Sequence, residues 1–213
     1  MSKAQVRRKA TVDAVKRDLI RSAAKEVFGR LGLNGAALRE IARTAGYTTG
    51  AIYFHYANKE ELYADILRES LGALFDRVSA SVVQDAEPVE ALSQAFRALV
   101  GFYDDNPRDL DLSLYLLNGT RPQGLTRALN RELNAKLRAV LDVFRVHLAR
   151  AGVDEARLNL EVGGLFDEMI GALVASHTGR LRFIGTDLAS VVDHHTGNLA
   201  ARLGKPAGRG RSR

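Results

Sequence analysis

Apolar residues recur at helical spacing through the first part of the chain. An amphipathic helix that ends at Gly32 is predicted by apolar positions four residues apart and their immediate neighbours: Leu19, Ile20, Ala23, Ala24, Val27, Phe28 and Leu31. A second, much shorter helix is predicted from Leu38 to Ala45, and it ends at Gly46. The pattern therefore places two helices of unequal length before a glycine turn.

Two polar residues then predict where the next helices begin. Thr48 is a good N-cap for the segment "TGAIYFHY", which is barely two turns long, because its hydroxyl can accept a hydrogen bond from an unpaired backbone amide. Asn58, followed three residues later by Glu61, has the form of a capping box. A long helix is therefore predicted to begin there and to continue to Val78.

The remainder of the chain has the punctuation of a helical bundle. Pro88 and Pro107 suit the first position of a helix, and Gly119, Gly152 and Gly204 suit helix ends. The periodicity between these residues predicts five helices, at about residues 88–105, 107–118, 122–151, 154–181 and 186–203. The predicted fold class is all-α.

Two short helices joined by a tight turn, with one helix before them and a long one after, form a three-helix helix-turn-helix head. In such a head the second short helix enters the DNA major groove, and its small first residues, Thr48 to Ala51, allow close approach to bases and phosphates. Helical spacing places Ile52 and Tyr56 in the core of the head and turns Tyr53 outward, where its hydroxyl can reach a phosphate. Lys59, in the first turn of the following helix, can add a phosphate contact.

Composition and the distribution of charge favour some classes of function and exclude others. The 213 residues carry a net charge of +6, but residues 1–60 hold 12 Lys and Arg against 5 Asp and Glu, whereas residues 61–203 hold 15 against 20. A basic head on an acidic body indicates a polyanion-binding domain joined to a domain with another task, although basic ends can also serve only solubility. The absence of cysteine excludes disulfides, thiol nucleophiles and cysteine zinc sites. No apolar run approaches the length of a membrane span or signal peptide, so we expect a cytoplasmic protein with no membrane partner.

From Leu19 to Leu67 the chain resembles the tetracycline-repressor (TetR) family of bacterial regulators. The resemblance is carried by "AA..VF...G", "REIA..AG", a Thr-x-Gly opening, "YFHY" and "NKEEL" in that order, over about a quarter of the chain. Carried over by position, the resemblance implies DNA contacts from eight residues: Arg39, Thr48, Thr49, Gly50, Ala51, Tyr53, His55 and Lys59. Ala36 and Ala37 depart from the family pattern, which often has Ser or Thr there to cap the second helix and touch a phosphate; Asn34 or Arg39 could substitute.

The resemblance also implies that the body binds a small molecule and forms a homodimer through its last two helices. It implies that helices around a ligand cavity carry seven residues: Phe75, Phe96, Tyr103, Tyr115, Phe144, His147 and Phe166. Taken singly, each of these residue types at this spacing is more often ordinary core than part of a ligand site. Two apolar faces with small residues between them predict a dimer interface that includes Phe166, Ile170, Leu173, Leu188, Val192, His195 and Leu199. The alternative is that these faces are buried within one monomer. We expect no metal site, because the adjacent His194 and His195 point about 100° apart on a helix.

The resulting hypothesis is a ligand-responsive transcriptional regulator that binds a palindromic operator as a dimer and represses until a small molecule releases it. The predicted organisation is a basic arm at 1–15, a helix-turn-helix domain at 16–60, a ligand-binding and dimerisation domain at 61–203, and a basic disordered tail at 204–213. No GxSxG, P-loop or HExxH motif is present, so we expect no enzyme activity and no cofactor. An architectural DNA-binding protein with a solid body remains the alternative.

Overall fold

A computed structural model describes residues 3–115 and 125–204 of the chain. Every regular element within these ranges is a helix, which confirms the all-α prediction. The helices are α1 (Lys3–Gly35), α2 (Leu38–Ala45), α3 (Thr49–Tyr53), α4 (Lys59–Ser81), α5 (Pro88–Asp105), α6 (Pro107–Tyr115), α7 (Arg127–Arg150), α8 (Glu155–His177), α9 (Arg180–Phe183) and α10 (Leu188–Leu203).

The first of two compact units comprises Met1–Ser70 and Arg108–Asn134. Its core is built where α1 packs on α2 and α2 on α3, and where the rings of Phe28 and Tyr63 meet edge to face with centroids 5.0 Å apart. The helical backbone of α1 is interrupted at Gly32, whose φ of 66° lies in the left-handed region that glycine adopts without penalty. The helix that was predicted to end at Gly32 is thus interrupted there, but α1 continues past the interruption to Gly35.

The structure divides the first unit differently from the sequence. The predicted basic arm, residues 1–15, is already helical from Lys3 onward and forms one continuous element with the first helix of the head. The predicted boundary between residues 60 and 61 falls inside the first unit, which extends to Ser70 along α4. A helix that begins at a cap and continues for 23 residues leaves no linker at that point.

The second unit comprises Leu71–Pro107 and Ala135–Arg213. Helices α5, α8 and α10 pack against one another, and Arg97 of α5 donates to Asp193 at 2.5 Å and to the Thr196 hydroxyl at 2.9 Å, both on α10. The buried Glu161 of α8 accepts from Arg157 at 2.8 Å and also from Arg202 of α10. Hydrogen bonds between charged side chains thus link α10 to α5 and to α8 beside their apolar contacts.

Most predicted helix boundaries in this part of the chain are confirmed. Pro88 and Pro107 are the first residues of α5 and α6, and Gly152, with φ of 85°, follows the end of α7. The single helix predicted over 154–181 is instead two, α8 and α9, because Gly179 adopts a left-handed φ of 73° between them. Gly119 and the tail beyond Gly204 lie outside the described residues.

Candidate nucleic-acid interface

The turn that precedes α3 is fixed by one glycine and one threonine. Gly46 has φ of 72° and closes the end of α2, and Tyr47 N donates to Ala42 O at 2.8 Å. Thr48 then adopts an extended conformation, and its Oγ1 accepts from Ala51 N at 3.3 Å. The predicted N-cap is confirmed, and α3 begins immediately after it.

The faces of α3 are those that helical spacing predicts. Ile52 and Tyr56 are 0% and 5% exposed, whereas Tyr53 is 58% exposed. The packing assignments for these three side chains are therefore confirmed. Phe54, to which the sequence pattern assigns no role, is 77% exposed. This places a large aromatic side chain on the surface immediately after Tyr53.

A groove of about 440 Å³ brings several of the predicted DNA-binding residues together. Arg39, Thr49, Tyr53 and Lys59 line it, with backbone and side-chain atoms of six further residues: Ala36, Ala37, Leu38, Ala57, Asn58 and Glu60. The N-terminal ends of α2 and α4 both border this groove. Because the first amides of a helix lack partners within the helix, the groove offers two sources of positive potential to a phosphate.

The start of α2 has no side-chain cap. Ala37 occupies the N-cap position and forms no side-chain hydrogen bond, which is what alanine at this position predicts. Arg39 is exposed, in the first turn of α2. A cation at this position can supply the phosphate contact that Ala36 and Ala37 cannot.

Lys59 has a structural role that the sequence did not reveal. Its Nζ donates to Asn34 O and to Ala36 O, both at 3.1 Å. These carbonyls lie at the end of α1 and in the following turn, where helical bonding has stopped. An ammonium group has three donors, so one N–H of Lys59 remains for a phosphate, and the predicted DNA contact stays a prediction.

The other predicted DNA-binding residues do not all face the same groove. Thr48 and Gly50 are exposed at the start of the recognition segment. His55 is half-buried, with its ring edge to face with Phe54 at a centroid distance of 5.2 Å. Ala51 and His55 line a separate cleft that Phe54 and α1 complete.

A charged network holds the end of the recognition segment against its neighbours within the first unit. The Tyr56 hydroxyl donates to Asp65 Oδ2 at 2.8 Å, and Arg68 donates to Asp65 Oδ1 at 2.7 Å. Arg68 also binds both carboxylate oxygens of Glu132 on α7, at 2.6 and 3.2 Å. Burial, followed by the hydrogen bond to Asp65, raises the pKa of Tyr56 well above its usual value. The hydroxyl is therefore kept protonated as the donor to Asp65.

Six of the seven predicted ligand-binding residues lie in the second unit, where they occupy different environments, whereas Tyr115 belongs to the first unit. Phe96, Tyr103 and Phe144 are buried, Phe166 is half-buried and Phe75 is exposed on α4. His147 is buried, with Nδ1 3.2 Å from Arg150 Nη1. Burial first, and then the Arg150 charge, lower the pKa of His147, so its neutral form is favoured. The side chain of Tyr115 lies outside the described residues.

The predicted dimer interface is divided between buried and partly exposed residues. Leu173, Val192 and Leu199 are buried within a single chain, where α10 packs on both α5 and α8. Their burial agrees with the alternative that the apolar faces of α8 and α10 pack within one monomer, and their place in a dimer interface stays a prediction. Four others are half-buried and keep some accessible surface: Phe166, Ile170, Leu188 and His195.

His195 contacts residues of its own chain. Its Nδ1 lies 3.4 Å from Glu168 Oε2, and its ring centroid is 6.0 Å from that of Phe96. Among residues 3–115 and 125–204, no three His, Asp or Glu side chains are grouped so that they could hold a metal ion. Over the same residues, no helix is both long and apolar enough to cross a membrane.

Comparison with known proteins points to one family. Residues 20–66 match the model of the bacterial regulatory proteins of the tetR family. The transcriptional repressor KstR2 of Mycolicibacterium smegmatis is 33% identical over 85 residues, which cover 40% of this chain and 42% of that protein. The match thus spans about two-fifths of the length of this curated relative.

Solved structures extend the likeness of fold to most of the chain. A regulatory protein in the tetR family from Rhodococcus RHA1 has a TM-score of 0.73 at 22% identity, over 90% of this chain and 98% of that one. The regulator FadR from Bacillus subtilis, crystallised with stearoyl-CoA, has a TM-score of 0.69 at 19% identity, over 85% and 96%. At these identities the likeness concerns the fold alone.

Proposed function

We propose that this chain is a bacterial regulatory protein of the tetR family, and that it acts as a dimeric, ligand-responsive repressor that binds a palindromic operator. The observation that carries the DNA-binding part is the groove at the start of α2 and α4. It combines two helix N-termini, the exposed Arg39 and the exposed Tyr53 next to the recognition residue Thr49. Phosphates bind at helix N-termini and to cations, whereas small side chains at the start of α3 admit base edges.

Selection from a random-sequence duplex pool tests this proposal. The native protein should enrich a palindrome whose half-sites lie about 34 to 36 Å apart, or a multiple of that distance. Thr49→Ala should change the preferred bases, whereas Tyr53→Phe should weaken binding to all duplexes alike. Arg138→Gln, at an exposed position of α7 that does not line the groove, is the control for a substitution away from the proposed interface and should change neither the preferred bases nor the affinity appreciably. Failure to enrich any sequence, with the protein folded, would refute the assignment.

Dimerisation is proposed through the outer surfaces of α8 and α10. Gly163, Gly164 and Gly171 of α8 and Gly197 of α10 are exposed, and a Cβ added at any of them meets no atom within 4 Å in the monomer. Helices can approach closely where side chains are this small. Such a surface is suited to a second copy of the chain, and a palindromic site needs two heads.

A larger side chain at Gly171 distinguishes an effect on dimer assembly from an effect on the folding of the monomer. Gly171→Gln has room in the monomer and replaces a helical glycine, so folding should be unharmed or slightly stabilised. In a dimer that uses this surface, the same side chain should clash, and light scattering should show the mass halved and operator binding lost. Ala139→Gln on the exposed surface of α7 is the control. A Gly171→Gln protein that remains dimeric would move the interface elsewhere.

The effector is proposed to be a small molecule with a large apolar part. Support comes from the aromatic residues Phe96, Tyr103 and Phe144 of the second unit, and from the stearoyl-CoA bound by the structural relative FadR. Linkage requires that an effector which weakens operator binding is itself weakened by operator, typically by about 1 to 3 kcal/mol. Stearoyl-CoA and apolar, weakly acidic metabolites should therefore be titrated with and without operator. A ligand that binds equally in both titrations would favour the architectural alternative.

A further inference from the structure

The first seventeen residues of α1 lie before the part of the chain that matches the family model. The match begins at residue 20, whereas α1 begins at Lys3. At 1.5 Å per residue this helical extension, residues 3–19, is about 25 Å long. Its sequence holds six Lys and Arg against two Asp. The extension is thus a basic helix added to a head that is complete without it.

The cations of this extension are available to a partner. Arg7, Arg8 and Arg17 are exposed and Lys16 is half-buried. Within the described part of the chain, their side chains form no hydrogen bond or ion pair. Of the two acidic residues, Asp18 is paired with Arg21. Asp13 is then the one carboxylate of residues 3–19 that opposes the charge of these four cations. The net field of the extension is therefore positive.

The extension runs beside the recognition segment. A cleft of about 270 Å³ is lined on the α1 side by Ala10, Asp13, Ala14 and Arg17 and on the other side by Phe54 and His55. A neighbouring cleft of about 170 Å³ is formed by Asp13, Lys16 and Ile20 with Tyr47, Ala51, Phe54 and His55. Lys16 and Arg17 therefore stand on one wall of clefts whose opposite wall immediately adjoins Tyr53. All of these residues belong to the first unit.

Charge and position together identify the occupant of this surface. Duplex DNA carries one negative charge for about every 1.7 Å of its axis, so a basic helix of about 25 Å can face a run of phosphates. The recognition segment brings the clefts to the duplex. The exposed Phe54 gives both clefts an apolar edge. This edge can pack against the sugar face of the DNA backbone instead of facing water.

We propose that residues 3–19 are a second DNA-contacting element, which binds the phosphate backbone of the duplex flanking each half-site through Arg7, Arg8, Lys16 and Arg17. This proposal rests on the proposed operator binding and extends it to DNA outside the half-site. Phosphate contacts carry no base information. The extension therefore adds affinity that is independent of the flanking sequence and sensitive to salt.

The test compares the native protein and two fourfold variants on duplexes of two lengths. The first variant replaces Arg7, Arg8, Lys16 and Arg17 with Gln, which keeps good helix formers at each position. The control variant replaces four exposed cations on other helices, Arg127, Arg131, Arg138 and Arg182, with Gln, so that net charge is matched. One duplex is the footprint core recovered from the random pool, and the other carries ten further base pairs on each side.

The native protein and the control variant should bind the long duplex at least about tenfold more tightly than the short one, and the first variant should bind both equally. On the long duplex, the slope of log affinity against log salt should fall in the first variant by about 0.9 for each phosphate that is no longer neutralised. Hydroxyl-radical protection outside the half-sites should disappear in the same protein.

Several results would overturn the proposal. The first is a DNA affinity of the first variant that depends on duplex length and on salt as in the native protein. The second is an equal loss of affinity on both duplexes. The third is that the first variant alone loses binding to phosphatidylglycerol vesicles while its DNA binding is unaffected. Arg17→Gln alone, which leaves the rest of the extension intact, should give a partial loss and guards against misfolding of the fourfold variant. If the native protein binds no duplex, the proposed function itself fails, which is a separate outcome.

Discussion

Tyr53 and Tyr56 lie three residues apart, and their hydroxyl groups should have separable effects on DNA binding and on stability. The Tyr56 side chain is buried, and its hydroxyl donates to Asp65 at 2.8 Å. A hydrogen bond to a charged group contributes about 1.5 to 3 kcal/mol. Asp65 keeps Arg68 at 2.7 Å in the variant and is partly exposed, so the lower end of that range applies. We therefore expect Tyr56→Phe to lower the free energy of unfolding by about 1.5 kcal/mol, which is about 3 to 6 °C in Tm for a chain of this length.

Tyr53→Phe is the matched comparison. Its hydroxyl is on a largely exposed side chain, so its removal should change the free energy of unfolding by less than about 0.5 kcal/mol. If that hydroxyl binds a phosphate, DNA affinity should fall by about 1 kcal/mol, or about fivefold. Urea denaturation followed by circular dichroism measures stability, and fluorescence polarisation with the selected duplex measures affinity.

Alkaline pH adds a control that is specific to Tyr56. Because the pKa of Tyr56 is raised in the folded state, the stability from its hydroxyl is fully present below about pH 10, the ordinary tyrosine pKa. That stability is lost as pH rises from there toward the folded-state pKa. The stability difference between native and Tyr56→Phe proteins should therefore shrink above pH 10. Equal destabilisation by the two substitutions, or none from Tyr56→Phe, would refute the assignment of one tyrosine to the core and the other to DNA.

Two further predictions concern other polar groups. Lys59→Gln should leave the carbonyls of Asn34 and Ala36 without their charged donor and lower the free energy of unfolding by about 1 to 2 kcal/mol. It should also weaken DNA binding. Urea melts measure the stability and polarisation assays measure the DNA affinity, and a loss of DNA affinity without a loss of stability would contradict the structural role. The pKa of His147 is lowered in the folded state, so His147 should contribute stability above pH 6.5 that is lost as pH falls below that value, because the unfolded chain then binds the extra proton. His147→Asn should therefore flatten the fall of the urea midpoint between pH 7.5 and 5. An unchanged dependence of the midpoint on pH would contradict this assignment.

Local sequence rules located the head well because its elements are set by neighbours along the chain. Gly46, Thr48 and Asn58 act on backbone groups within four residues, and the structure shows the left-handed turn and both caps where they were expected. The capping box was only half right. Glu61 N donates to Asn58 Oδ1, but the Glu61 carboxylate accepts from Ala57 N and thus reaches one residue further back than the motif implies.

Contacts between distant residues could not be read in the same way. The bonds of Lys59 to Asn34 and Ala36 join positions more than twenty apart, and nothing in the local pattern says that the end of α1 needs a donor. Glu132 and Arg68 are 64 residues apart. A basic residue after the recognition helix was therefore assigned wholly to DNA, although the fold also uses it.

The dimer faces show why amphipathic pattern alone does not identify a partner. An apolar stripe reports that a face is buried, and it is the same whether the covering helix belongs to this chain or to another copy. Val192 and Leu199 are covered by the chain's own helices. The informative residues are instead the glycines of α8, which have neither apolar surface to hide nor a neighbour that requires their small size within the monomer. A helix that carries the conformational cost of several glycines without an internal reason is explained if a second helix must come close, so Gly171 tests assembly more directly than the apolar stripe does.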